Sequence, residues 1–225
     1  RREMVCPCCV PPVAVALWTT ALLILLGGQA LLRGVSWASK VLRVITWSIF
    51  ALLAASGCGL ALLASNDLLR GRAFAMLCTS LAKEPAMTPV RCGELGLSDV
   101  QGAVIEFGPG PGTNFKCWGG GTAKGLSSWV GVEPNIAFKN AQEAEAAAHN
   151  LTFSRQTVWL RGEDVDVDAA SFDAAVLTHV LCSVSDPRTV LAQAARALKP
   201  GGKLYVMEHV AAAEGSAMRY VQQVI

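Results

Sequence analysis

The sequence predicts an α/β fold, a doubly wound and mostly parallel sheet, preceded by N-terminal membrane helices. Three observations carry this expectation. Two apolar runs without a charged residue fill most of the first 66 positions. From residue 100 onward, short apolar runs of strand length alternate with helical segments, as in a parallel sheet covered on both faces. The charge also divides. Residues 1–75 hold seven Lys/Arg against two Asp/Glu, and residues 76–225 hold twelve against fifteen. Two parts in different solvents are expected from such a break, with domains at 1–75 (membrane anchor), 76–99 (linker) and 100–225.

Composition narrows the function. The 225 residues are 52% hydrophobic and 16% charged, where ordinary soluble domains carry roughly a quarter charged residues. A disordered chain is excluded. A net charge of +2 offers no clustered basic surface, so no nucleic-acid partner is expected. Eight cysteines are scattered without a pair of CxxC units, so no metal site is expected. Cys6, Cys8 and Cys9 beside the first apolar run are either palmitoylation sites or plain thiols. Nothing in the cysteine pattern demands an oxidising compartment.

The first apolar run is densest over 13–32, and the second covers 44–66. Each reaches the roughly 20 residues that a helix needs to cross the hydrocarbon core, where only helices satisfy their own backbone. Trp37 and Trp47 fit an interfacial belt. A cleaved signal peptide is the alternative for the first run, which is long for one. Arg33, Lys40 and Arg43 place the intervening loop in the cytosol by the positive-inside rule. Two full spans would then put the C-terminal part opposite. One span with a re-entrant or interfacial second helix keeps it in the cytosol. The linker, with Pro85, Pro89, Gly93 and Gly96, is turn-rich.

In the third part, strands are expected at 103–107, 129–132, 157–160, 172–180 and 203–210, and helices at 136–149 and 186–198. Asp186 is a good N-cap, with Pro187 at the first helical position. Lys199-Pro200-Gly201-Gly202 stops that helix. Ligands of such sheets sit beyond the C-terminal strand ends, so the residues there are the informative ones. After strand one come Glu106, Gly108, Gly110, Gly112, Thr113 and Asn114. Thr113 stands where a dinucleotide fingerprint needs its third glycine, which disfavours a nicotinamide-dependent reductase. GxGxG, with an acidic residue two positions before it, is instead the S-adenosylmethionine (SAM) pattern. Glu133 after strand two can accept both hydroxyls of a ribose, or cap the next helix. Gly162, Glu163 and Asp164 follow strand three, where an acidic group can border an adenine amino group or simply be solvated. Thr178, His179 and Cys182 follow strand four, and Glu208 and His209 follow strand five.

In this order the stretch 103–210 resembles class I SAM-dependent methyltransferases. More narrowly, the run Thr178-His179-Val180-Leu181-Cys182-Ser183-Val184 resembles the membrane-anchored methyltransferase-like 7 family. So do Leu198-Lys199-Pro200-Gly201-Gly202, Met207-Glu208-His209-Val210 and Gln222-Gln223-Val224-Ile225. Characterised animal members of that family methylate thiols. The Gly-Pro-Gly loop and Gly131-Val132-Glu133-Pro134-Asn135 are more similar to fungal and protist relatives. The resemblance covers 103–225, about half the chain.

It implies a Rossmann-like sheet and SAM as cofactor. The backbone of Gly108, Gly110 and Gly112 would approach the methionine part, with Thr113 and Asn114 beside it. Glu106 would orient the amino group and Glu133 the ribose. Gly162, Glu163 and Asp164 would border the adenine, and Thr178 and His179 would lie near the methyl group. His179 and His209 are the candidate catalytic bases, since His titrates near working pH. The implied substrate is a small lipophilic acceptor, first of all a thiol. A quinone, sterol or phospholipid acceptor is the alternative, as is a non-catalytic SAM-binding membrane adaptor. The implied setting is the bilayer of the endoplasmic reticulum or a lipid droplet, with the catalytic domain in the cytosol. Three departures stand out. Family members usually have one anchor segment, and this chain has two apolar runs. Glu133 lies 27 positions after Glu106, a long interval. The chain stops soon after strand five, so it reads as a fragment lacking the last two strands.

Overall fold

The computed structural model describes residues 66–81, 86–119, 125–217 and 219–220, with isolated helical positions between 45 and 65. The apolar run 13–32 and most of 44–66, with Cys6, Cys8 and Cys9, lie outside the described residues. Among the described residues no helix is long and apolar enough to cross a membrane. Among the described residues, those from Gly71 to Tyr220 fall in one compact unit and those up to Arg70 in another.

Helix α1 (Asp67–Leu81) starts where Asn66 Oδ1 accepts the Leu69 N–H at 3.0 Å, an N-cap that satisfies an otherwise orphaned donor. A short helix α2 (Met87–Pro89) runs into a π-helical turn, Val90–Glu94, and a 3-10 turn, Leu97–Asp99. The sheet follows. It comprises β1 (Gly102–Phe107), β2 (Leu126–Val132), β3 (Ser154–Val158), β4 (Phe172–Thr178) and β5 (Leu198–Met207). All pairings are parallel, in the order β3-β2-β1-β4-β5. Three helices intervene, α3 (Phe115–Trp118), α4 (Lys139–Ala148) and α5 (Pro187–Ala197). Asp186 caps α5 by accepting the Arg188 N–H at 3.0 Å, and Pro187 opens it.

Two cores explain why the central strands are continuously apolar. Val104, Trp129, Ala174 and Val176 pack on one face against Leu97, Phe115, Trp118 and Ala146. Ile105, Phe107, Val132, Ala175 and Leu177 pack on the other against Val190, Ala194 and Ala197 of α5. With both faces covered, no polar alternation is needed.

Several strand limits differ from expectation, and β2 starts at Leu126 rather than at 129. Strand three was expected at 157–160 and forms at Ser154–Val158. Its register with β2 starts at Ser128 opposite Ser154, and its polar residues sit on an edge where apolarity is not required. Strand five starts earlier, at Leu198, because Lys199-Pro200-Gly201-Gly202 is absorbed as an irregularity between the pairs Phe172–Leu198 and Ala174–Lys203. It ends at Met207, and β4 ends at Thr178 rather than 180. A further feature has no counterpart in the sequence reading. Cys92 and Cys117 form a disulfide that ties the π-helical turn to α3.

Candidate functional site

In the strand order, β1 is flanked by β2 on one side and β4 on the other. The chain winds away in both directions from the β1–β4 pair, and that crevice is where such sheets take ligands. The sequence-predicted residues on β1, β2, β4 and β5 stand at or just beyond the C-terminal ends of these strands.

The loop 108–114 leaves β1 and turns sharply. Gly108 has φ +63°, and a Cβ there would stand 2.3 Å from Val180 Cγ2, so only glycine lets the loop cross the end of β4. Gly110 has φ +54°, but its Cβ position is open, with only Phe138 Cζ at 4.0 Å. The loop is pinned on both backbone groups of Gly110. Its N–H donates to Glu133 Oε2 at 3.0 Å, and its carbonyl accepts from Gln142 Nε2 at 2.7 Å. Gln142 is held in turn by Thr157 Oγ1 at 2.9 Å. Glu133 Oε1 accepts the Asn135 N–H at 2.9 Å, so the carboxylate clasps the end of β2 to the loop. Burial pushes Glu133 up to about 7, against the two backbone donors. Gly112 is buried, and Thr113 is half-buried in the same turn.

Asn114 bridges the two central strands. Its Nδ2 donates to Glu106 Oε1 at 2.7 Å and to Thr178 Oγ1 at 3.0 Å. Trp129 Nε1 donates to Glu106 Oε2 at 2.9 Å. Glu106 is fully buried, and that burial raises it to about 7 despite Trp129, Asn114 and the positive charge of Arg91. Three buried side-chain atoms lack a partner among the described residues: Asn114 Oδ1, His179 Nδ1 and Arg91 Nε. Native structures keep such atoms few, and all three belong to this crevice. Arg91 feels Glu106 and His179 electrostatically, Asn114 bonds Glu106, and His179 follows Thr178.

His179 has φ +55°, a conformation rare outside glycine and a marker of local strain. Its ring lies 4.5 Å from that of His209. Two bonds latch the strand ends that carry the pair. The His179 N–H donates to the Met207 carbonyl at 2.9 Å, and Glu208 Oε1 accepts the N–H groups of Val180 and Leu181 at 2.8 and 3.0 Å. Burial, then His209, then Arg91 lower the His179 pKa, with Glu208 opposing. The imidazole is therefore neutral at pH 7.

The residues after β3 do something different. Gly162 is buried against Val190 and Phe107. Glu163 Oε1 accepts the N–H groups of Ser185 and Asp186 at 2.7 and 3.2 Å and Arg161 Nη2 at 3.2 Å. Burial opposes its charge, but these donors outweigh that and hold it below the usual carboxylate range. Glu163 thus clasps the loop before α5, and Asp164 is exposed. A cavity of about 60 Å³ between Phe115, Trp129, Arg155 and Thr157 has room for a few waters behind Gln142 and Trp129.

Three residues escaped the sequence reading as members of the site: Arg91, Trp129 and Gln142. Only Arg91 left a trace, as the single Lys/Arg between Lys83 and Lys116.

Comparison with known proteins bears on what the crevice holds. Residues 85–223, more than half the chain, match the family described as Methyltransferase domain. The chain is 38% identical over 133 residues to human thiol S-methyltransferase TMT1B, covering 57% of this chain and 52% of that protein. It is 36% identical over 125 residues to human thiol S-methyltransferase TMT1A, covering 55% and 49%. The chain therefore spans about half the length of these curated relatives. Among solved structures, a putative SAM-dependent methyltransferase of Methanococcus maripaludis superposes with TM-score 0.52 at 19% identity, covering 61% of this chain and 63% of that one. An O-methyltransferase family protein of Burkholderia thailandensis superposes with TM-score 0.50 at 22% identity, covering 63% and 42%. At these identities the likeness is one of fold.

Proposed function

The chain belongs to the methyltransferase domain family, and from that premise we propose that it is a membrane-associated SAM-dependent methyltransferase whose acceptor is a small lipophilic thiol. The crevice carries this reading. Gly110 leaves open space where a side chain would stand, beside Glu133, and Asn114 bridges Glu106 and Thr178. These features fit an amino-acid nucleoside. Each oxygen of Glu133 accepts one backbone N–H and keeps a lone pair for a hydroxyl. Glu106, buried and held by Asn114 and Trp129, would place a carboxylate behind an ammonium group. When bound, SAM supplies an electrophilic methyl group for in-line displacement, so alignment provides much of the rate.

The rest is the protein's work on the acceptor. A thiol reacts as its thiolate, and an ordinary thiol has a pKa of about 8.5. His179, neutral and paired with His209, is the group to take that proton. Two relatives named as thiol S-methyltransferases support the thiol. The charge break at residue 75 and the two apolar runs support the bilayer. So does α1, whose Leu68, Met76, Leu77 and Leu81 are exposed.

Equilibrium binding of SAM to the detergent-solubilised chain, with NADH as control, tests the reading. Saturable SAM binding that Glu133→Ala weakens at least tenfold is expected, followed by methyl transfer to an alkyl thiol. A folded chain that binds no SAM sinks the proposal. SAM binding without transfer to any acceptor would leave the adaptor reading in its place.

A further inference from the structure

Three consecutive residues at the end of β5 grip the turn that leaves β4. The Met207 carbonyl accepts the His179 N–H at 2.9 Å. Glu208 Oε1 accepts the N–H groups of both Val180 and Leu181, at 2.8 and 3.0 Å. His209 sets its ring 4.5 Å from that of His179. Two successive backbone N–H groups converging on one oxygen make an anion-binding nest, and here a side chain of the protein itself fills it.

The turn needs such a grip. His179 has φ +55°, a conformation that costs free energy outside glycine and persists only where the surroundings enforce it. Bonds from backbone N–H groups to a carboxylate are among the stronger ones available for that purpose. Val180 is buried against Gly108, where a Cβ would stand 2.3 Å from its Cγ2, so the turn is fixed against the glycine loop as well as against β5. Glu208 bonds the backbone of the turn, and what it sets is where the imidazole of His179 stands.

We propose that Glu208 is a positioning residue of the transfer step: its hold on the Val180 and Leu181 N–H groups keeps His179 left-handed, with its ring beside His209, where it meets the acceptor thiol. The inference rests on the methyltransferase reading and on His179 as its base. In that step the acceptor S–H gives its proton to His179, and an electron pair of the sulfur forms the new S–C bond. The methyl–sulfonium bond breaks and leaves its pair on the donor sulfur. A base displaced by even about 1 Å loses much of its effect.

The test uses the detergent-solubilised chain and two acceptors, an alkyl thiol that must lose its proton in the site and an aromatic thiol already ionised at the assay pH. Glu208→Ala is expected to lower kcat for the alkyl thiol by roughly 10- to 100-fold. Transfer to the aromatic thiol, which needs no base, and the Kd for SAM are expected to change by less than about threefold. Glu208→Gln keeps an acceptor at the nest and is expected to restore most of the rate, leaving a few-fold loss confined to the alkyl thiol. On the ligand-free chain, the nuclear Overhauser contact between the His179 and His209 rings is expected in wild type and in Glu208→Gln, and absent from Glu208→Ala. Circular dichroism and a melting curve on each variant establish folding. Equal losses on both thiols, no loss on either, or a ring contact that survives Glu208→Ala overturns the positioning role and leaves the methyltransferase reading intact. A folded wild type that binds no SAM, or binds it and methylates neither thiol, overturns both.

Discussion

Glu106 and Glu133 are raised to about 7 by burial within a site whose natural occupant carries positive charge and hydroxyl donors. Their titration sets two opposite pH trends. In the unfolded chain both ionise near the ordinary Glu value, so between about pH 4.5 and 7 the folded protein binds more protons than the unfolded one. Stability therefore falls as pH rises through that window, by roughly 3 kcal/mol per group at most. Melting curves on the ligand-free protein should show a lower Tm at pH 7.5 than at pH 5.5, and Glu106→Gln should shrink the difference. SAM affinity should run the other way and strengthen from pH 6 to pH 8, because the ionised carboxylates are the better acceptors. A pH-independent Kd would refute this account. At Gly108 the prediction is steric. Gly108→Ala puts a Cβ into Val180 at a left-handed φ and should cost about 1–3 kcal/mol. Adding Val180→Ala should recover part of that loss in a denaturant melt. The glycines and Glu133 were legible because their positions after strands follow from local pattern. Arg91 and Trp129 were not, because what makes them matter is a partner 15 or 23 residues away that only folding supplies.

Strands with both faces covered announce themselves, and this is why β1 and β4 were found close to their true limits, while β2 was found only in its apolar second half. Edge strand β3, with the sequence Ser-Arg-Gln-Thr-Val, has its register set by pairing with β2, and its apolar signal sits only at its end. The start of α5 was readable from Asp186 and Pro187, since capping is a local event. The start of β5 was misread, because Lys199-Pro200-Gly201-Gly202 stops a helix and yet tolerates being bulged into a strand, with Gly201 at φ +80°. The pairing of Cys92 with Cys117 is a tertiary fact that eight scattered cysteines cannot reveal. Closing a loop of sequence separation 25, it should stabilise the domain by about 3 kcal/mol. Reduction should lower the Tm and weaken SAM binding several-fold by loosening α3, the helix that the glycine loop feeds. A Cys92→Ser/Cys117→Ser variant with unchanged Tm and Kd would contradict that.

At the scale of the whole molecule, the sequence separates an apolar, net-positive beginning from a net-negative part that carries the methyltransferase domain. The first curated relatives agree with the second part over roughly half their length. The family and winding of that part were legible because strands and helices alternate there and the glycine loop follows the first strand. If the apolar runs hold the enzyme in a bilayer, full-length protein should float with neutral phosphatidylcholine vesicles in 1 M salt, where surface electrostatics are screened. It should also methylate bilayer-partitioning thiols faster than water-soluble ones of equal pKa. Recovery in the pellet fraction with no such preference would argue against anchoring. The arginines and lysine between the two runs leave the side of the membrane undecided between two topologies, and the disulfide turns that question into a chemical readout. Disulfides endure in oxidising lumens and are opened by the cytosolic glutathione pool. Alkylation of intact cells before lysis would therefore find Cys92 and Cys117 tagged if the domain faces the cytosol and untouched if it faces the lumen. The Cys92–Cys117 clamp thus also records which way the protein was inserted.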